Sequence, residues 1–357
     1  MKLILHIGPH KTGSSSIQAS LKNSQDYLAE NRILFFGPQH MIWSLAALYT
    51  EFWNRENPFL KQKFASDDEL MKWSAAHWSE FERLVATSDA EIAIISSEQF
   101  STLPPDGIAR MMERLIGMFD DIKVVVYARD PASLYLSSLQ EGIKSGWRLR
   151  DAPLPDEYEY RLRGQIERYV THVAAENIIV RSFDRQNLKD GDVVKDFCGV
   201  VSAEGPEIDI PSMSRNESIP GAALAWFLSA NELSPYLPRT EDHNLVVRIM
   251  MQSPEIGTLP KMKFGTNAIA EAIRHRFAED SAWINERFLR GQVPLPLGQA
   301  MSHDTTSREA LRDWIMSYMT VDAMKLITEQ VTAGEGIPGP GTRSARMARR
   351  ARAAARA

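Results

Sequence analysis

Three short stretches carry side chains whose types and spacing can do chemistry. The first is Gly8-Pro9-His10-Lys11-Thr12-Gly13-Ser14-Ser15-Ser16. It follows the branched apolar run 3–7, the signature of a buried strand. It precedes Ile17, Leu21 and Leu28, whose spacing marks one face of a helix. A strand–loop–helix of this kind turns the free N–H groups of a helix N-terminus, and the positive end of its dipole, toward the loop. Gly13 allows close backbone approach, and Lys11 adds a point charge. The chemistry is the cradling of a phosphate or sulfate. The second stretch puts Arg129 directly after the apolar run 122–127, with Ser137 eight residues on, about two helical turns into the next element. Arginine suits bidentate contact with a phosphate, and a serine hydroxyl adds a donor. The third is Ser97-Glu98-Gln99-Phe100, where a carboxylate follows another apolar run at the same sheet edge as the loop. Glu98 there is a candidate general base. It also has a second reading, as a helix cap or as a partner of Lys11 or Arg129. His40, after Gly37-Pro38-Gln39, is the other candidate base, and His10 is read as shaping the loop.

These side chains need elements that hold them. Apolar runs at 3–7, 91–96, 122–127 and 177–181 predict strands, and 32–36 a short extended segment. Helical periodicity at 67–87, 108–119, from Pro131 onward, 158–174 and 193–200 alternates with them. That alternation predicts an α/β fold with a central parallel sheet built from right-handed crossovers and flanked by helices. Arg129 then stands at a strand's carboxyl end, where open sheets bind ligands. The C-terminal third is mostly helical, with helices expected over 220–233, 262–279, 282–289 and 307–332. One domain over 1–332 is expected, followed by a Gly/Pro linker and an Arg/Ala-rich tail at 333–357.

Composition sets the limits. The chain has 357 residues, 44% hydrophobic and 24% charged, ordinary values for a globular protein. One cysteine, Cys198, excludes an internal disulfide and reads as a small core residue. No apolar run approaches the ~20 residues of a membrane span, and the start of the sequence shows no signal peptide. The expected location is cytoplasmic. Six arginines and no acid fall in the last 15 residues, so the body is more acidic than the net charge of −5. Its anion site must be a local positive focus, and no nucleic-acid partner is expected. The tail reads as solvated, with weak contact to an anionic surface as the other possibility. His6 and His10 sit on a strand and a loop, and no Cys/His cluster exists, so no metal site is expected.

The order Lys11-Thr12-Gly13-Ser14-Ser15 departs from the nucleotide-triphosphate loop, whose lysine follows the second glycine. It resembles the phosphosulfate loop of sulfotransferases that use 3'-phosphoadenosine-5'-phosphosulfate (PAPS). Arg129 and Ser137 likewise resemble the Arg-x7-Ser element of that family. The likeness is to soluble, bacterial-type members with a P-loop-NTPase-like sheet. It implies that Lys11, Thr12, Gly13, Ser14 and Ser15 hold the 5'-phosphosulfate end, while Arg129 and Ser137 hold the 3'-phosphate. It also implies that Lys11 supplies the leaving-group cation, and that Glu98 stands where the family places a histidine or glutamate base. The implied acceptor is a hydroxyl on a carbohydrate, glycolipid or other small molecule, without a metal. Ser16 replaces a tryptophan of the best-known soluble branch, which leaves adenine packing unassigned. The competing readings are a P-loop kinase using ATP and magnesium, and a non-catalytic nucleotide- or partner-binding module.

Overall fold

The computed structural model describes residues 1–37, 43–50, 60, 63–213, 219–233, 241–263 and 267–333. His40, the segment 214–218 and the tail 334–357 lie outside the described residues. The chain divides into two compact units. One is formed by Met1–Leu134, Glu159–Asn216 and Ile273–Gln299, the other by Tyr135–Tyr158, Glu217–Ala272 and Ala300–Ala357.

The first unit is built on five parallel strands: β1 (Lys2–His6), β2 (Ile33–Phe36), β3 (Ile92–Ser96), β4 (Asp121–Ala128) and β5 (Ile178–Ser182). Their order is β2-β3-β1-β4-β5. The segment 32–36 is thus a full member of the sheet, at its edge. Leu3, Ile4, Leu5 and Ile7 are all completely buried, as continuous apolar strands covered on both faces must be. Around the sheet run α1 (Ser14–Asn23), α2 (Gln25–Glu30), α3 (Ser44–Ala47), α4 (Asp67–Thr87) and α5 (Pro105–Ile116), then, after α6 (Pro131–Lys144), which starts in this unit and continues in the second, α7 (Leu162–Val170) and α8 (Val193–Ser202). Ile17 and Leu21 of α1 and Phe197 and Val201 of α8 pack with Ile4, Ile94, Val125 and Tyr127 on one face. On the other, α7 packs on β4 and β5, and α5 packs against α7. The adjacent strands β1 and β3 therefore feed helices on opposite faces. That makes the crevice beyond their carboxyl ends a topological switch point, the place where open sheets take ligands.

Local chemistry explains the element ends. Ser66 caps α4 by accepting from the Glu69 N–H at 3.2 Å, and three acids fill that helix's first turn. Asp192 caps α8 by accepting from the N–H groups of Val194 and Lys195. Cys198 is buried in α8, as expected for a core residue. Asp196 is buried on the same helix and holds Arg181 through both carboxylate oxygens, while accepting the Tyr127 hydroxyl at 3.0 Å. Burial and the nearby Asp196 carboxylate push the Tyr127 phenol well above its ordinary range.

The second unit is helical. It contains α9 (Gly221–Leu233), α10 (Glu241–Gln252) and α11 (Pro254–Gly257). After α12 (Ala268–Arg276) and α13 (Ala278–Phe288), it resumes with α14 (Arg308–Met316) and α15 (Val321–Ala333). α9 packs on α14 and α15, and α15 on α10 and α11. Asn231 is buried and donates to the carbonyls of Ile143 and Trp147 at 2.8 and 2.9 Å.

The helices differ from expectation in three places. The span 158–174 is helical only over α7, because Tyr158 and Tyr160 are spent on ring packing before it starts. The span 307–332 breaks into α14 and α15, where the Thr320 hydroxyl accepts from the Ala323 N–H and starts a new helix. α10 was not expected. Among the described residues no helix is long and apolar enough to cross a membrane.

Candidate functional site

The loop after β1 needs an unusual backbone. Gly8 and Gly13 have φ of 88° and 82°, and Lys11 between them has φ of 65°. The two glycines adopt this region without steric cost. Lys11 does so at a cost of about 1 kcal/mol, and a specific contact holds it there: Arg129 Nη1 donates to the Lys11 carbonyl at 2.6 Å. Arg129 is delivered by β4, which runs beyond the end of β1 because His6 pairs with Val125. Its guanidinium lies 5.5 Å from the Phe183 ring centroid, and its own carbonyl accepts the Tyr160 hydroxyl at 2.8 Å. The loop lysine and the strand-end arginine, far apart in sequence, are therefore coupled directly.

The loop also closes on itself. The Thr12 and Ser14 hydroxyls are buried and donate to the Pro9 carbonyl at 2.6 and 3.3 Å. What these two residues can offer an anion is their backbone N–H. Gly13 is the N-cap of α1 and supplies no side-chain cap, so the first turn of that helix opens on N–H groups that no residue of the helix can accept from. Ser15 lies partly exposed in that turn. A Cβ at Gly13 would come within 2.8 Å of Val193 Cγ1 and 3.2 Å of Phe183 Cε2, so the position is also closed from behind.

Glu98 faces this loop across the switch point. The register pairs His6 with Ser96, so the residues two further on come level. Gly8 abuts Glu98 so tightly that a Cβ on it would lie 2.9 Å from Glu98 Cα. Glu98 begins a short 3-10 turn (Glu98–Thr102). The Ser97 N–H donates to the His6 carbonyl at 3.0 Å, and the Ser97 hydroxyl accepts from the Gln99 N–H at 3.2 Å. The Glu98 carboxylate pairs with His10 Nδ1.

Beneath the loop His6 is fully buried, between the rings of Tyr127 and Phe197. Its Nδ1 lies 2.7 Å from Ser96 Oγ, which Gln18 Nε2 also approaches at 3.3 Å, and His6 Nε2 has no hydrogen-bond partner. Desolvation lowers its pKa to about 4, against a smaller opposing effect of the Glu98 charge. Behind Arg129, Asp130 accepts from the N–H groups of Ala132 and Ser133 and from the Ser133 hydroxyl, fixing the start of α6. Arg274 grips the same carboxylate through Nε and Nη2 at 3.1 and 3.0 Å.

The structure thus brings together Lys11, Thr12, Gly13, Ser14, Ser15, Glu98 and Arg129 at one edge of one sheet. Ser137 lies further along α6, half-buried, in the second compact unit. His40 lies outside the described residues. Sequence reasoning had no means to see Arg274 on Asp130, a contact between distant helices. His10 as the partner of Glu98 had one signal, its place beside Lys11 in the loop.

No family model and no curated protein matches the chain. Among solved structures it is similar to a sulfotransferase from Alicyclobacillus acidocaldarius, at 15% sequence identity and a TM-score of 0.34. That likeness covers 64% of this chain and 91% of the other.

Proposed function

We propose that this protein moves a sulfuryl group from PAPS to an acceptor hydroxyl. The observation that carries the reading is the Arg129–Lys11 contact, because it joins the two sulfotransferase-like motifs at the mouth of one parallel sheet. The loop fits a phosphosulfate. It combines two glycines at positive φ, a helix start without a side-chain cap, a lysine and a neighbouring guanidinium.

In this reading the N–H groups from Lys11 to Ser15 surround the 5'-phosphosulfate, with Thr12 and Ser14 setting the loop's shape through Pro9. Lys11 offers its ammonium to the charge that grows on the leaving phosphate. Arg129 reads the 3'-phosphate. The proton of the acceptor hydroxyl goes to a base from the Glu98–His10 pair. When bound, PAPS supplies an activated sulfuryl group, and the chain supplies orientation, charge and proton transfer. The acceptor is a hydroxyl compound, with carbohydrates and glycolipids the first class to try.

The deciding experiment is calorimetry of the full chain with adenosine 3',5'-bisphosphate (PAP) and, separately, with ATP plus magnesium. Metal-free binding of PAP in preference to ATP supports the reading. Preference for ATP with magnesium moves the protein to the kinases. Binding of PAP without transfer from PAPS across a broad acceptor panel makes it a non-catalytic module.

A further inference from the structure

The carboxylate that the sequence marks as a base is not the open member of its pair. Glu98 is 20% exposed and His10 is 50% exposed. We propose that the two work as a unit in which His10 Nε2 takes the acceptor proton and Glu98 is the positioning residue. This assignment rests on the sulfotransferase reading above and names the base within it.

Hydrogen-bond chemistry gives the direction. A carboxylate only accepts, so the proton between the partners belongs to His10 Nδ1. A neutral imidazole protonated there presents a lone pair at Nε2, on the far side of the ring from Glu98. The carboxylate fixes the tautomer and stabilises the imidazolium that forms, the division of labour that recurs in acid–histidine pairs. Glu98 is held firmly enough for that role. Its carbonyl accepts the Ser101 hydroxyl at 2.8 Å, Ser97 anchors the turn before it, and Gly8 packs on its Cα. The imidazole sits on the loop itself, next to Lys11, so base and leaving-group cation are carried by adjacent residues.

The step balances. His10 Nε2 takes the hydroxyl proton as the acceptor oxygen forms its bond to sulfur. The bond from sulfur to the 5'-phosphate oxygen breaks, its electron pair staying on the phosphate beside Lys11. The products are a sulfate ester and PAP, and the half-exposed imidazolium returns its proton to water.

Three measurements on the full chain test this. Calorimetry with PAP comes first, and failure of the wild type to bind sinks the sulfotransferase reading itself, separately from the pair. Nitrogen NMR of the ligand-free protein in mildly alkaline buffer reads the tautomer. The expectation is a proton on His10 Nδ1 in the wild type, moving to Nε2 in Glu98→Gln, whose amide can donate to Nδ1. A wild-type proton on Nε2 overturns the proposal even if no variant folds. Transfer from PAPS to a panel of substituted phenols reads the chemistry. His10→Ala should keep wild-type affinity for PAP while kcat falls about 10²- to 10⁴-fold, the usual contribution of a positioned base, with added imidazole restoring part of it. A kcat for His10→Ala close to wild type refutes the assignment. A loss confined to Glu98→Gln and untouched by imidazole also refutes it, and returns the base to Glu98.

Discussion

Replacing Arg129 by alanine separates two jobs that the structure gives one side chain. The guanidinium holds the Lys11 carbonyl at 2.6 Å and so supports a non-glycine residue at φ 65°. In the proposed complex it also binds the 3'-phosphate. Losing the first job weakens every ligand of the loop. One hydrogen bond from a charged donor is worth about 1.5 kcal/mol at the lower end, or roughly tenfold in affinity. Losing the second weakens only ligands that carry a 3'-phosphate. A charge-assisted contact to phosphate adds about 1.5–3 kcal/mol, a further factor of roughly 10 to 150. The assay is calorimetry with PAP and with AMP, which differ by that phosphate alone. Wild type should prefer PAP, and Arg129→Ala should lose most of that preference while AMP binding falls about tenfold or less. Arg129→Lys, which keeps the charge but not the planar fork, should lie between. Equal weakening of both ligands would refute the 3'-phosphate role and leave Arg129 as a loop support only.

Three other outcomes are expected. Gly13→Ala forces a Cβ to within 2.8 Å of Val193 Cγ1 at φ 82°; urea unfolding should show a loss of about 2 kcal/mol and calorimetry a loss of PAP binding, whereas an unchanged midpoint contradicts the tight packing. His6 is held neutral, its pKa lowered from 6.5 to about 4, so the unfolded chain binds more protons between those values; stability is full above pH 6.5 and should fall by up to about 3 kcal/mol as pH drops toward 4, and a His6→Asn variant that keeps the same acid slope in urea melts would rule His6 out as its source. Arg274→Ala leaves Asp130 only its N-cap partners and should cost about 2 kcal/mol in thermal or urea unfolding; a loss within 0.5 kcal/mol, the usual range for exposed positions, would show that solvent already screens the pair.

The fold was readable where the physics is local. Strands buried on both faces write themselves as runs of Ile, Val and Leu, and all four such runs are strands of the sheet. The helix expected over 67–87 was equally plain, and α4 starts and ends there. The misses have local causes that compete with periodicity. Tyr158 sits in register with Leu162 and Ile166 yet packs its ring on Tyr135 before a helix begins, and Thr320 restarts a helix inside the expected span. Strand order is not local, and nothing in residues 32–36 announces pairing with β3.

The same division runs through the site. Lys11, Gly13 and Arg129 could be picked out because each belongs to a motif that a strand end dictates. What makes them one site is the stagger of β4 against β1. With His6 opposite Val125, β4 has three residues still to run when β1 ends, and that excess carries Arg129 up to the Lys11 carbonyl. The pairing of His6 with Ser96 does the same for the other side of the loop, bringing Gly8 against Glu98 and His10 within reach of its carboxylate. A one-residue slip of β3 against β1 would turn Glu98 to the opposite face of the sheet, away from His10 with no change to either motif. The chemistry of this edge is therefore a property of register, and the glycine at position 8, which has no room for a Cβ, is the residue that locks it. Gly8→Ala should accordingly disturb the His10–Glu98 pairing before it unfolds the sheet. The His10 nitrogen resonances report it: a wild-type tautomer in a folded Gly8→Ala protein would show that the close approach at Gly8 does not set the pair.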